Sequence, residues 1–156
     1  MSLPATNALR GSPTHHLTYW LPALLWAGVI FFFSTELFSS DHTSVVVGPL
    51  LGALLPDLSA QDVESFHTIV RKLGHLSEYF ILTVLLIRAL RNENGGDTKP
   101  RHLLISLAIA SLYAISDEFH QSFVPSRGAS IVDVLIDTCG GISAIVWFYL
   151  RKPGKT

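Results

Sequence analysis

Three short stretches hold most of the side chains able to do chemistry. They are Arg71, Lys72, His75 and Glu78; then Asp117, Glu118, His120 and Gln121; then Asp133 and Asp137, with Arg127 ahead of the last pair. Spacing within each stretch is helical. Arg71, His75 and Glu78 stand at i, i+4 and i+7; Asp117 is followed by His120 at i+3 and Gln121 at i+4; Asp133 and Asp137 are four apart. Residues three and four apart share one face of a helix. A free imidazole titrates near about 6.5, which suits proton transfer at neutral pH. His75, oriented by Glu78 or Asp117, is therefore the candidate general base. Arg127, Lys72 and Arg71 are the candidate clamps for an anionic headgroup or phosphate, arginine being able to bind bidentately through its planar fork. No serine or cysteine stands where a nucleophile is needed, since Cys139 lies deeper in its segment than the polar positions, so water is the expected nucleophile. His75, Glu78, Asp117, His120, Asp133 and Asp137 offer enough nitrogen and oxygen donors for a divalent metal. No HExxH or similarly dense ligand motif occurs, and no metal or other cofactor is assigned.

The elements that position these residues are membrane helices. Of the 156 residues, 49% are hydrophobic and 15% charged, against roughly 25% charged in ordinary globular domains; mean hydropathy is +0.41. A net charge of -1 gives no basic patch for nucleic acid. Cys139 is the sole cysteine, so no intramolecular disulfide exists; it is expected to fill space between helices. Leu17 to Phe33 carries no charge and has aromatics near both ends, as interfacial belts do. It reads as a retained anchor rather than a cleaved signal, with Pro22 in its first turn or so. Further spans are expected at about 73–90, 102–119 and 131–150, the first running to about 17–35. Residues 1–16 form a polar cytoplasmic segment, 17–152 the transmembrane domain and 153–156 a cytoplasmic tail. The fold class is all-α: a polytopic helix bundle with four membrane spans plus a short amphipathic outer helix.

That outer helix is expected just before the second span. Ser59 and Asp62 stand at capping-box spacing, and Val63, Phe66, Val70 and Leu73 recur at helical intervals. Val45 to Leu55, broken by Pro49 and Pro56, reads as an interfacial or re-entrant piece. Asn94-Gly95-Gly96-Asp97 and Pro125-Ser126-Arg127-Gly128 are turns. Basic residues flank the central loop (Arg88, Arg91, Lys99, Arg101) and the ends (Arg10, Arg151, Lys152, Lys155), while 36–70 has no Lys or Arg. Positive charge stays cytoplasmic, so both termini and the central loop face inside. On this topology the second span enters, the third ends and the fourth re-enters at the outer face. The three polar stripes then meet at one depth.

Each residue also has a plainer reading. Asp133 follows Ser130 at capping-box spacing and could simply start its helix. Arg71 and Lys72 could be interfacial snorkelling residues, and His75 a structural histidine. Asp117 and Glu118 oppose the macrodipole at the end of a helix, which leaves an ion pair with Arg127 as their structural explanation. His15, His16, His42, His67 and His102 are isolated and read as surface or interface residues. Gly74, Gly140, Gly141 and Ala144 read as close-packing sites between helices.

RKLGHLSEYFILTVLLIRAL from Arg71 and SDEFHQSFVPSRGASIVDVLIDTCGG from Ser116 strongly resemble the VanZ-like family of membrane proteins. The motifs are Lys-x-x-His-x-x-Glu-Tyr, Asp-Glu-x-x-Gln, Pro-x-Arg and Asp-x-x-x-Asp/Asn-x-x-Gly; they cover about the last 90 residues, and the first span, ending FFFSTELFSS, fits more loosely. Asp137 stands where many relatives have Asn, which adds a charge, and Ala144 where many have a second Gly. Residue by residue the resemblance picks out Lys72, His75, Glu78, Tyr79, Asp117, Glu118, Gln121, Arg127, Asp133, Asp137 and Gly140. His75, Glu78, Asp117 and Glu118 are taken as the catalytic set. Lys72, Arg71, Tyr79, Gln121, Arg127, Asp133 and Asp137 are taken as the substrate-binding set.

The family is named for a member linked to teicoplanin resistance, so the resemblance implies a cell-envelope role in a bacterial inner membrane. The expected partner is a membrane lipid or lipid-linked envelope precursor, bound or converted at the outer leaflet. The alternative is a binding or structural protein whose cluster is an ion-pair network. A transporter is disfavoured, because four spans without duplicated halves provide no inverted repeat.

Overall fold

The computed structural model of the chain describes residues 13–35, 59–93, 97–125 and 128–151. The first helix, α1 (Pro13–Phe33), opens on a proline, which needs no N–H at that position. It begins four residues before the apolar run, so Pro22 lies inside the helix and not in its first turn. The second helix, α2 (Ala60–Glu93), has 34 residues, about 51 Å at 1.5 Å per residue. Its start is the expected capping box: the Asp62 N–H donates to Ser59 Oγ at 3.2 Å and the Ser59 N–H to Asp62 Oδ2 at 3.1 Å. The amphipathic stretch is thus continuous with the second span. A helix this long exceeds the roughly 30 Å hydrocarbon core, so one end projects beyond it.

The third helix, α3 (Pro100–Gln121), again begins on a proline and ends before Pro125. The fourth, α4 (Ile131–Leu150), starts from Ser130, whose hydroxyl accepts the Asp133 N–H. No strand occurs among the described residues. Three helices are long and apolar enough to cross a membrane: within Gln61–Asn92, Pro100–Gln121 and Ile131–Leu150. The apolar part of α1, Leu17–Phe33, is shorter. The re-entrant reading of Val45 to Leu55, the N-terminal segment, most of the Asn94 turn and the C-terminal tail lie outside the described residues.

Contacts between helices give their directions. Arg71 meets Asp133 and His75 meets Asp137, so α2 and α4 run the same way. Glu118 meets Ser130 and Ser111 meets Thr138, so α3 and α4 are antiparallel. Tyr113 Oη donates to the Ala27 carbonyl, and Ser34 reaches Asp117, so α1 runs with α3. The result is an up-down-up-down bundle. The end of α1, the end of α3, the start of α4 and Arg71 to Glu78 of α2 therefore share one end. Arg88, Arg91, Lys99, Arg101 and Arg151 mark the opposite end.

Small residues bring the helices close. A methyl group at Gly140 would overlap the Leu76 carbonyl of α2. One at Gly141 would stand 2.9 Å from the Leu107 side chain and 3.0 Å from Thr83 Oγ1. Ala144 is fully buried. Gly74 differs from the expectation, because a methyl there meets nothing within 4 Å; it lies on a different side of α2 from Tyr79 and the seam. Ala23, Ile30, Tyr79, Leu82, Leu86, Ala110 and Ala114 form the apolar core.

Large apolar side chains cover much of the outside of the bundle, while a layer of ionisable ones lies inside. Leu104 and Leu112 are each 67% exposed and Ile131 79%, while His75, Asp117, Glu118, Gln121, Asp133 and Asp137 are buried. A soluble protein rarely buries such groups while showing so many large apolar side chains; lipid reverses the preference. Cys139 belongs to the exposed set and does not fill space between helices. His102 is the opposite case: it is 1% exposed, not at the surface, and accepts the Lys99 N–H at Nδ1 over 3.3 Å. In this way it serves the start of α3.

Candidate functional site

The fully buried residues of α4 lie on one stripe. Asp133, Asp137, Gly140, Gly141 and Ala144 are the buried residues of that helix, and their three- and four-residue steps keep acid above glycine on one face. The glycines let α4 approach α2 closely enough for the acids to reach it. Asp137 Oδ1 lies 3.1 Å from His75 Nδ1, and Asp133 Oδ2 accepts from Arg71 Nη2 at 3.2 Å. The carboxylate against His75 Nδ1 is thus Asp137, where Glu78 or Asp117 was expected. Sequence reasoning had both residues but paired them otherwise, because within-helix spacing is visible in a sequence and helix-to-helix register is not.

Glu118 comes in from α3. Its Oε2 accepts the Ser130 N–H at 2.7 Å, which changes the reading of Asp133. Ser130 does cap α4 by taking the Asp133 N–H, but the reciprocal acceptor of a capping box is Glu118 from another helix. Asp133 is left to face Arg71. Glu118 sits one residue from Asp117, yet the two acids have different tasks. Asp117 accepts from Ser34 Oγ at 2.5 Å and from Gln121 Nε2 at 2.9 Å. Gln121 Nε2 also donates to Ser34 Oγ, over a longer 3.5 Å. This second network ties α1 to α3 beside the His75 cluster.

Ser34 is the member that sequence reasoning missed. The signal was available: it ends the first apolar run, and the alternating topology brings that end to the polar layer. His120 stands apart, its ring 4.6 Å from that of Phe31. Tyr79 is fully buried in the apolar core with its ring 6.3 Å from that of Tyr113, beneath the charged layer. Glu78 and Lys72 are half-buried; Lys72 precedes His75 by three residues and so shares its side of α2. Arg71 is exposed at the rim, with 46% of its side chain accessible. Arg127 lies outside the described residues.

One donor atom each from His75, Glu118 and Asp133 lies within 4.8 Å of the other two. All three residues are buried. Two carboxyl oxygens of this layer, Glu118 Oε1 and Asp137 Oδ2, are buried without a hydrogen-bond partner. An unpaired buried carboxyl oxygen is costly to hold. The arrangement provides a carboxylate-backed imidazole beside two acids, open toward a rim arginine, which is the equipment of proton transfer or of cation and anion binding.

A model of the VanZ/LLP1 family matches residues 19–152. The chain belongs to the VanZ/LLP1 family. The match takes in the last three helices, most of the loosely fitting first helix with Ser34 after it, and every polar residue of the site. No curated protein and no solved structure matches the chain. With three membrane-span helices and an apolar exterior, this VanZ/LLP1 member is a multi-pass membrane protein.

Proposed function

We propose that this protein binds, and through His75 acts upon, the anionic headgroup of an envelope lipid or lipid-linked precursor at the outer leaflet of the bacterial cytoplasmic membrane. The observation that carries the reading is the Asp137–His75 pair flanked by Glu118 and Asp133, buried inside a bundle whose exterior is apolar. Ionisable groups within membrane helices face the interior and mark substrate or proton paths. In this account α1 is a fourth span, its exposed Leu21, Leu24, Leu25 and Phe32 facing lipid. Arg88, Arg91, Lys99, Arg101 and Arg151 at the far end support a cytoplasmic location for that end, both termini included. Asp137 holds the imidazole of His75 toward the headgroup, and Arg71, Lys72 and Arg127 hold the headgroup. Altered teicoplanin susceptibility is the expected cellular consequence.

The test is lipid selection by the purified protein. Native mass spectrometry with phosphatidylglycerol, a polyprenyl phosphate and phosphatidylcholine should show retention of the anionic lipids, lost in Arg71→Ala and Arg127→Ala. Equal retention of all three lipids would overturn the reading. The Arg71–Asp133 pair favours a second reading, a structural network. A charge-swapped Arg71→Asp/Asp133→Arg protein that keeps full function would favour that network.

A further inference from the structure

We propose that His75, Glu118 and Asp133 form a binding site for one first-row divalent cation, of the Zn2+ or Mn2+ class, with Asp137 as the residue that orients its histidine ligand. The inference goes beyond lipid binding and does not depend on it. Three helices supply the ligands: α2, α3 and α4. Each ligand has one donor atom already used and one left over among the described residues. His75 gives Nδ1 to Asp137 and keeps Nε2. Glu118 gives Oε2 to the Ser130 N–H and keeps Oε1, which is buried with no hydrogen-bond partner. Asp133 gives Oδ2 to Arg71 and keeps Oδ1.

Two observations beyond acidity point to a cation. The first is Glu118 Oε1 itself, on a residue that is 4% exposed. The second is the Asp137–His75 contact. Metal-binding histidines nearly always pass their other ring N–H to a carboxylate, which sets the tautomer and strengthens the donor nitrogen. Charge adds a third reason. Asp117, Glu118, Asp133 and Asp137 are all buried within one layer, and Arg71 answers Asp133 from a half-exposed position at the rim. Buried like charges need a counter-charge at the centre.

Geometry is compatible. Donor atoms bound to one tetrahedral ion at about 2.1 Å stand about 3.4 Å apart. One donor atom from each of the three residues lies within 4.8 Å of the others, and side-chain shifts of about 1 Å bring donors at that spacing to a common ion. One imidazole and two carboxylates suit Zn2+ or Mn2+ better than Ca2+ or Mg2+, which take oxygen alone. Three protein ligands leave coordination positions open, as catalytic sites do.

The experiment uses the full chain, purified in detergent, stripped with a chelator and dialysed against Zn2+ or Mn2+ alone. Elemental analysis and titration calorimetry should find about one ion per chain for at least one of the two metals. Asp137→Asn should weaken binding about 10- to 100-fold. Glu118→Gln and Asp133→Asn should weaken it further. Asp117→Asn, whose two oxygens are held by Ser34 and Gln121, should bind nearly as wild type. Where a variant fails to fold, pulsed electron paramagnetic resonance of Mn2+ on the wild-type protein decides, since His75 must contribute a directly bound nitrogen. The proposal is overturned by a wild-type protein with no ion above the detergent blank. It is equally overturned by unchanged affinity in Glu118→Gln and Asp133→Asn, by an Asp117→Asn loss as large as theirs, or by the absence of a nitrogen signal.

Discussion

Replacing Gly140 by alanine tests the seam on which the whole cluster hangs. In an exposed helix position glycine-to-alanine stabilises by about 0.8–1.0 kcal/mol through propensity alone. Half-buried Gly74 has room for the same gain, since a methyl there meets nothing within 4 Å. At Gly140 the same methyl runs into the Leu76 backbone carbonyl, which has no rotamer to change. Restoring ordinary contact requires α4 to withdraw from α2 by about 1 Å. Overpacking of this kind costs about 1–3 kcal/mol, so the two alanines should differ by roughly 2–4 kcal/mol in opposite directions about wild type. Withdrawal also stretches the 3.1 Å His75–Asp137 and 3.2 Å Arg71–Asp133 contacts one and two turns away. A displacement of about 1 Å in a working site lowers activity on the order of 100-fold. Unfolding in mixed micelles, followed by far-ultraviolet circular dichroism, measures the stability difference. If Gly140→Ala proves as stable as Gly74→Ala, the close packing of α2 on α4 and the register built on it are wrong.

Two further predictions follow from the other end of the argument. Ser34→Ala removes the 2.5 Å hydrogen bond to Asp117 and leaves that buried carboxyl with Gln121, so stability should fall by about 1–3 kcal/mol in the same unfolding assay; no change would mean α1 is not tied to α3 there. Reporter fusions after Asn94 should be active only as cytoplasmic reporters, and one near Asp57 only as an external reporter. An external signal at Asn94 would invert the orientation and move the cluster to the cytoplasmic face.

Helix existence and the one-ended grouping of acids were readable because both depend on local pattern. Apolar runs of sufficient length, the Ser59–Asp62 box and the four-residue step from Asp133 to Asp137 are all short-range signals. Partner choice was less readable. His75 takes Asp137 and Glu118 takes the cap of α4 because Gly140 sets how far α4 slides along α2, a property of two helices together. Gly74, Cys139 and His102 show the same limit. Their residue types suggested packing, filling and surface, whereas the side of the helix on which each falls decided otherwise. Ser34 was overlooked because a lone serine after three phenylalanines carries no spacing signal; only the direction of α1, set by the alternating topology, points to it.

The central claim is that the buried cluster works on the envelope from inside the membrane. Its most direct measurement is the teicoplanin response of a susceptible bacterium expressing His75→Ala, Glu118→Gln or Asp137→Asn, each at membrane levels matched to wild type. Cys139→Ser, on the lipid-facing side of α4, serves as the comparison. The account predicts that wild type and Cys139→Ser shift the response alike, while the three cluster variants insert normally and lose the shift. Full retention of the shift in all three variants, at matched levels, would contradict it.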